Sequence, residues 1–180
     1  MMFMIGGTLL AILIGLIIGS ARRDRAQAAK VRAVQDRLSA RYKPEQLFVS
    51  AYDQSALGLS PERGMIVLAT AQSDVELPLS SLIEVEGIRD GVVLRRFRRG
   101  ASADLVARPG EDKGDVVHIN TLDLRVTVAD PDGRVWTVRF FDWPAGGVSP
   151  GNVAFQAAAR DAERWFALLQ QAMAGESSKT

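Results

Sequence analysis

The chain has 180 residues, enough for one membrane span and one domain of ordinary size. It has no cysteine and a single histidine, which excludes a disulfide framework and the usual thiolate- or histidine-built metal sites. Its formal net charge of +1 conceals an uneven distribution: residues 1–20 carry no charge, residues 21–43 hold eight basic residues against two acidic, and the remainder is acidic. A nucleic-acid binder would carry the basic charge on its folded domain, so no nucleic-acid partner is expected.

Residues 1–20 read MMFMIGGTLLAILIGLIIGS. About 20 apolar residues rising 1.5 Å each cover a hydrocarbon core of roughly 30 Å. A lone segment in lipid satisfies its own backbone only as a helix, so one transmembrane helix is expected. The alternative is a signal peptide cleaved near Gly19-Ser20-Ala21, leaving a secreted or periplasmic β domain. Such a signal carries its positive charge before the apolar run, whereas here Arg22, Arg23 and Arg25 follow it. Basic residues are retained on the cytoplasmic side. The expected arrangement is a single-pass protein of the cell (inner) membrane, N-terminus outside and soluble domain cytoplasmic. Arg22, Arg23 and Arg25 then lie beside the bilayer, where they set topology and meet anionic headgroups. Gly7, Ala11, Gly15 and Gly19 recur every four residues and form one ridge of small side chains, a surface for helix–helix contact with a second copy.

Residues 21–43 are rich in Ala, Arg, Gln and Lys and predict a basic juxtamembrane helix or stalk, with Val31, Val34 and Leu38 on a narrow face and Pro44 as its stop. A β domain is expected over 44–175. Short apolar strands are read at 55–60 and 65–70, separated by a turn at SPERG, and at 75–78, where Pro78 marks an edge or an end. Residues 82–88 alternate. Asp90-Gly91 predicts a hairpin to a strand at 92–98. Residues 99–115 predict a long polar loop. Residues 122–129 alternate with period two and are the clearest strand signal; Asp130-Pro131-Asp132-Gly133 turns it back into a strand bearing Trp136, Val138 and Phe140. After a Pro/Gly-rich connection comes an amphipathic helix at 152–174, capped by Asn152, with Phe155, Ala158, Ala162, Trp165, Phe166, Leu169 and Met173 on one face and Gly175 as its stop. Residues 176–180 read as a disordered tail.

This order makes the fold class mainly β with a C-terminal helix, plus one transmembrane helix. The stretch from about 47 to 174 resembles a pleckstrin-homology-like domain of the kind found in small bacterial membrane proteins. The strand order, the hairpins at Asp90-Gly91 and at Pro131 to Gly133, and the terminal helix with Trp165 and Phe166 carry the resemblance. It implies seven antiparallel strands in two near-orthogonal sheets, a two-sheet roll or barrel closed by the helix, serving as a lipid- or protein-binding platform. The basic signature of phosphoinositide-binding members is missing, because 51–63 contains Arg63 alone as a base.

Motifs for chemistry are sparse. His118 stands alone; there is no GxSxG, P-loop or GxGxxG. Glu111, Asp112 and Asp115 cluster without EF-hand spacing and read as solvated. Glu84 and Glu86 point to one side of a strand, which on an antiparallel sheet is usually the wet face. No catalytic, cofactor or metal site is expected. The candidate interaction patch is Arg95, Arg96, Phe97, Arg98 and Arg99, able to grip phosphate or a protein surface, or simply to protect a sheet edge. The expected function is a membrane-anchored binding or scaffolding module with the bilayer, an anionic lipid or another protein as partner. The alternative is a membrane-tethered enzyme with an unrecognised site.

Overall fold

The computed structural model describes residues 25–100, 104–105, 118–129, 134–144 and 146–177. The apolar segment 1–20, with Gly7, Ala11, Gly15 and Gly19, lies outside them, as do Arg22, Arg23, the 130–133 turn and the acidic cluster at 111–115. Among the described residues no helix is long and apolar enough to cross a membrane.

The described chain is mainly β, two antiparallel sheets with a C-terminal helix. Helix α1 covers 25–42. It ends where Lys43 turns left-handed (φ 49°) and donates its backbone N–H to the Ser39 carbonyl at 3.2 Å, just before Pro44. Strands β1 (Gln46–Val49), β2 (Ala56–Ser60), β3 (Met65–Ala69) and β4 (Asp74–Pro78) follow as one antiparallel sheet in chain order. A 3₁₀ turn, Leu79–Ser81, leads into β5 (Leu82–Arg89) and β6 (Val92–Arg98). The second sheet is completed by β7 (Asp104–Leu105), β8 (Thr121–Val128) and β9 (Val135–Asp142), in the order β7-β6-β5-β8-β9. The chain thus returns after β6 to place β8 on the far side of β5. Helix α2, Val153–Ser177, packs across β5, β8, β9 and the 3₁₀ turn.

Nine strands among the described residues exceed the seven implied by the resemblance. Strand β1 went unread because it is four residues long and half-buried throughout, and β7 because it is two residues long. The Asp90-Gly91 hairpin is present, with φ of 50° and 80° at its two central residues, the mirror-image turn that matches strand twist. The Asp90 carboxylate accepts the backbone N–H groups of Asn120 and Thr121, both at 2.8 Å, so the hairpin tip also fixes the start of β8.

The main core lies between the sheets and under α2. Leu57, Leu59, Ile66 and Leu68 meet Val85, Phe97, Leu124, Val126, Trp136 and Val138, with Trp165, Phe166, Leu169 and Met173 of α2. All five residues of β2 are buried, because α1 covers the other face of the first sheet. There Val34, Leu38 and Tyr42 pack on Ala56, Val67 and Ala69. A polar latch reinforces them: the Tyr42 hydroxyl donates to Asp74 Oδ2 at 2.7 Å, and Arg41 Nη1 to the same oxygen at 3.0 Å. The C-terminal part of the helix expected as a stalk is therefore docked on the domain.

Helix α2 begins as expected, with Asn152 Oδ1 accepting the N–H groups of Ala154 (3.0 Å) and Phe155 (3.1 Å). It does not stop at Gly175 but runs on to Ser177. A glycine ends a helix by turning left-handed, and Gly175 is not among the glycines with positive φ.

Candidate interaction surface

The run from Arg95 to Arg99 does not form one patch. Pleating sends its side chains to opposite faces of β6. Phe97 is buried in the main core. Arg95 lies over the Phe166 ring of α2, 4.9 Å from its centroid, and 4.0 Å from Glu163. Arg99 serves as a clamp: it donates to the carbonyls of Leu79, of Leu82 at 2.9 Å and of Met173 at 3.3 Å, joining the 3₁₀ turn, β5 and the last part of α2.

Arg96 and Arg98 take the other face. Arg98 Nε donates to Glu84 Oε2 at 3.1 Å. Arg96 donates to Glu86 Oε1 through Nε at 2.9 Å and Nη2 at 2.6 Å, while Arg125 Nη1 reaches Glu86 Oε2 at 3.2 Å. Glu84 and Glu86 do share a face, but it is not simply wet: Glu86 is only 4% exposed, gripped from the strands on both sides. One strand further on, Arg139 donates to Asp123 at 3.0 Å and to Asp142 at 2.8 Å. Burial raises the Asp123 carboxyl above its ordinary 3.8, with the Arg139 hydrogen bond opposing the shift. In isolation β6 reads as a basic strand; in the sheet its charges meet carboxylates on β5 and α2. Among the described residues, its edge pairs with β7 at Arg95 and Arg96.

The same strands open a cleft on the α2 side, about 200 Å³ in volume, floored by Gly87 and roofed by Ala159 and Ala162. It exists because small residues face one another across the sheet–helix boundary. A Cβ at Gly87 would meet only Arg95 Cβ, at 4.0 Å. Leu94, Leu122, Phe155 and Phe166 form apolar walls, and Arg89, Arg95, Asp123 and Glu163 add charge. Leu94 reaches this cleft because a bulge pairs Arg95 with Gly87 and Val93 with Ile88, leaving Leu94 as the extra residue. A second, larger opening of about 640 Å³ lies between the β2–β3 turn and the C-terminal half of α2. Its Arg63 is held by the Tyr42 carbonyl (2.6 Å), Ser60 Oγ (2.9 Å) and Glu76 (3.2 Å).

His118 is exposed beside the short bridge between Ile119 and Val148. Among the described residues no group of three or more His, Asp or Glu side chains is placed to hold a metal ion. Arg25 is exposed at the start of the described part of α1. Comparison of the chain with protein-family models, curated proteins and solved structures gives no match.

Proposed function

We propose that this chain is a membrane-anchored, non-enzymatic binding module. Residues 1–20 are its single transmembrane helix, with the N-terminus outside, and a pleckstrin-homology-like domain is held in the cytoplasm at the inner membrane of a bacterium. Two copies pair through the ridge of Gly7, Ala11, Gly15 and Gly19. The domain receives a protein partner in the cleft between β5, β6 and α2.

The observation that carries the binding reading is the cleft itself. Its walls are apolar, and two arginines (Arg89, Arg95) and two carboxylates (Asp123, Glu163) stand at them. At about 200 Å³ it is smaller than the roughly 300–1,000 Å³ of sites for drug-sized ligands. That size and lining suit one apolar side chain on a partner segment, flanked by polar groups that the charges of both signs at the rim can meet. The arginine run adds indirect support. Its members hold strands and helix together rather than converging on a phosphate or a reacting group.

Gly87→Leu tests this reading by filling the cleft from its floor, where the backbone accepts a side chain. The full-length protein carrying a photo-crosslinking residue at Ala159 should capture a discrete partner from solubilised membranes, and Gly87→Leu should abolish that capture without lowering the melting temperature. Identical capture by both proteins would remove the cleft from the function.

A further inference from the structure

Three exposed hydrophobic side chains gather at one end of the domain: Tyr52, 42% exposed, Trp143, 41% exposed, and Val153, 80% exposed. The fully buried Phe141 ring is their hub. Tyr52 meets it edge-on with centroids 6.1 Å apart, Trp143 stacks on it at 6.1 Å, and Phe155 meets it at 5.5 Å. Val153 opens the helix turn that carries Phe155. The loop bearing Tyr52 is held in shape from within. Ser50 Oγ accepts the Tyr52 N–H at 3.1 Å, and Asp53 Oδ1 accepts the Ser55 N–H at 2.9 Å. Tyr52 is thus presented on an ordered turn.

This end is also where the chain enters the domain. The Gln27 side chain, in the first described turn of α1, donates to the carbonyl of Ala51, the neighbour of Tyr52. Gln27 follows Ser20, the last residue of the apolar segment, by seven positions. Seven residues reach at most about 24 Å fully extended, and about 10 Å as a helix. The headgroup layer beside each face of the hydrocarbon core is about 5–7 Å thick. An anchor at 1–20 therefore holds the Ala51–Tyr52 turn within about 24 Å of the end of the apolar segment, and within about 10 Å if the intervening residues are helical. Arg22, Arg23 and Arg25 in the same stretch match an anionic surface. Tyrosine and tryptophan, apolar in body and polar at one end, are the side chains that settle at such an interface.

We propose that Tyr52, Trp143 and Val153 rest in the headgroup layer of the bilayer that anchors the chain, a second membrane contact that fixes which end of the domain faces the lipid and leaves the cleft to a partner. This rests on the anchor reading above. The chain contains three tryptophans, and Trp136 and Trp165 are buried. Trp143 is thus the one of the three placed to report on lipid. The full-length protein is reconstituted into vesicles of mixed neutral and anionic lipid carrying a quencher at headgroup depth. Part of the tryptophan emission should be quenched. Trp143→Phe should abolish the quenched part, and Tyr52→Glu, which leaves Trp143 as reporter, should reduce it several-fold. Emission unquenched in vesicles from which an alkaline wash does not remove the chain would overturn the docking while the anchor stands, and is the result a protein occupant of this face would give. Quenching equal in the parent and Trp143→Phe would also overturn it. A chain stripped by the wash would overturn the anchor and this inference together.

Discussion

The two helices each lay an apolar stripe on a sheet, yet they stand in different relations to the fold. Helix α2 puts Trp165, Phe166, Leu169 and Met173 into the core that both sheets share. Helix α1 puts Val34, Leu38 and Tyr42 on the outer face of the first sheet, against the small side chains of Ala56, Val67 and Ala69, and adds the Asp74 latch. Removing α2 would expose the second sheet and open the shared core, whereas removing α1 would expose one small cluster. The first helix is a docked tether on a body that the second helps to build.

The sharpest break of that contrast is Trp165→Ala, expected to cost about 3–5 kcal/mol, a large part of the stability of a domain this size. Unfolding of the full-length protein in mild detergent, followed by near-ultraviolet circular dichroism, should show one large downward shift in melting temperature. An unchanged melting curve would place Trp165 outside the core.

Leu38→Ala should cost less, near the lower end of the roughly 2–5 kcal/mol seen for such truncations, because the outer cluster can collapse around it. The more telling readout is local. Hydrogen exchange of α1 amides should quicken while that of α2 keeps its protection. Equal quickening in both helices would mean that α1 belongs to the cooperative core.

Tyr42→Phe should have the smallest effect, about 1 kcal/mol for the lost hydrogen bond, again confined to α1. Its pH dependence has a definite sign. Burial, then the hydrogen bond to Asp74, raises the Tyr42 hydroxyl above its ordinary 10.0. The folded state thus favours the protonated phenol, so its contribution is fully present below pH 10.0 and is lost as pH rises through the raised value. Once the base-catalysed rise in intrinsic exchange is divided out, the protection of α1 amides should fall across that range in the parent and not in Tyr42→Phe.

Much of this architecture was legible because its signals are local. The period-two run at 122–129, the Asp90-Gly91 turn and the Asn152 cap each depend on residues close in sequence, and each is present. The remaining features depend on residues brought together from far apart. Val34 and Leu38 read as a narrow helix face, but their cover is β2 and β3. The signal lay in β2, where Ala56 and Gly58 interleave with Leu57 and Leu59: small residues on one face mark a second packed layer, which a one-sided sheet does not need. The arginine run looked like a patch because its carboxylates, Glu84, Glu86 and Glu163, lie on other elements. The cleft is missing side-chain volume where Gly87 faces Ala159 and Ala162, and no window of sequence spans both.

The position of Glu86 bears on how the chain finds its alignment as it folds. Glu86 is paired in register with Arg96 on one neighbouring strand and Arg125 on the other. If β5 slipped by one residue against β8, Glu86 would stand opposite Leu124 or Val126 and be pushed toward the apolar face, with Arg125 lost as its partner. A misaligned sheet would thus be rejected at its centre, where the penalty for an unmatched carboxylate is greatest. Glu86 and Arg125 act as a proofreading step for a sheet whose β8 pairs with β5 only after the long stretch that follows β6.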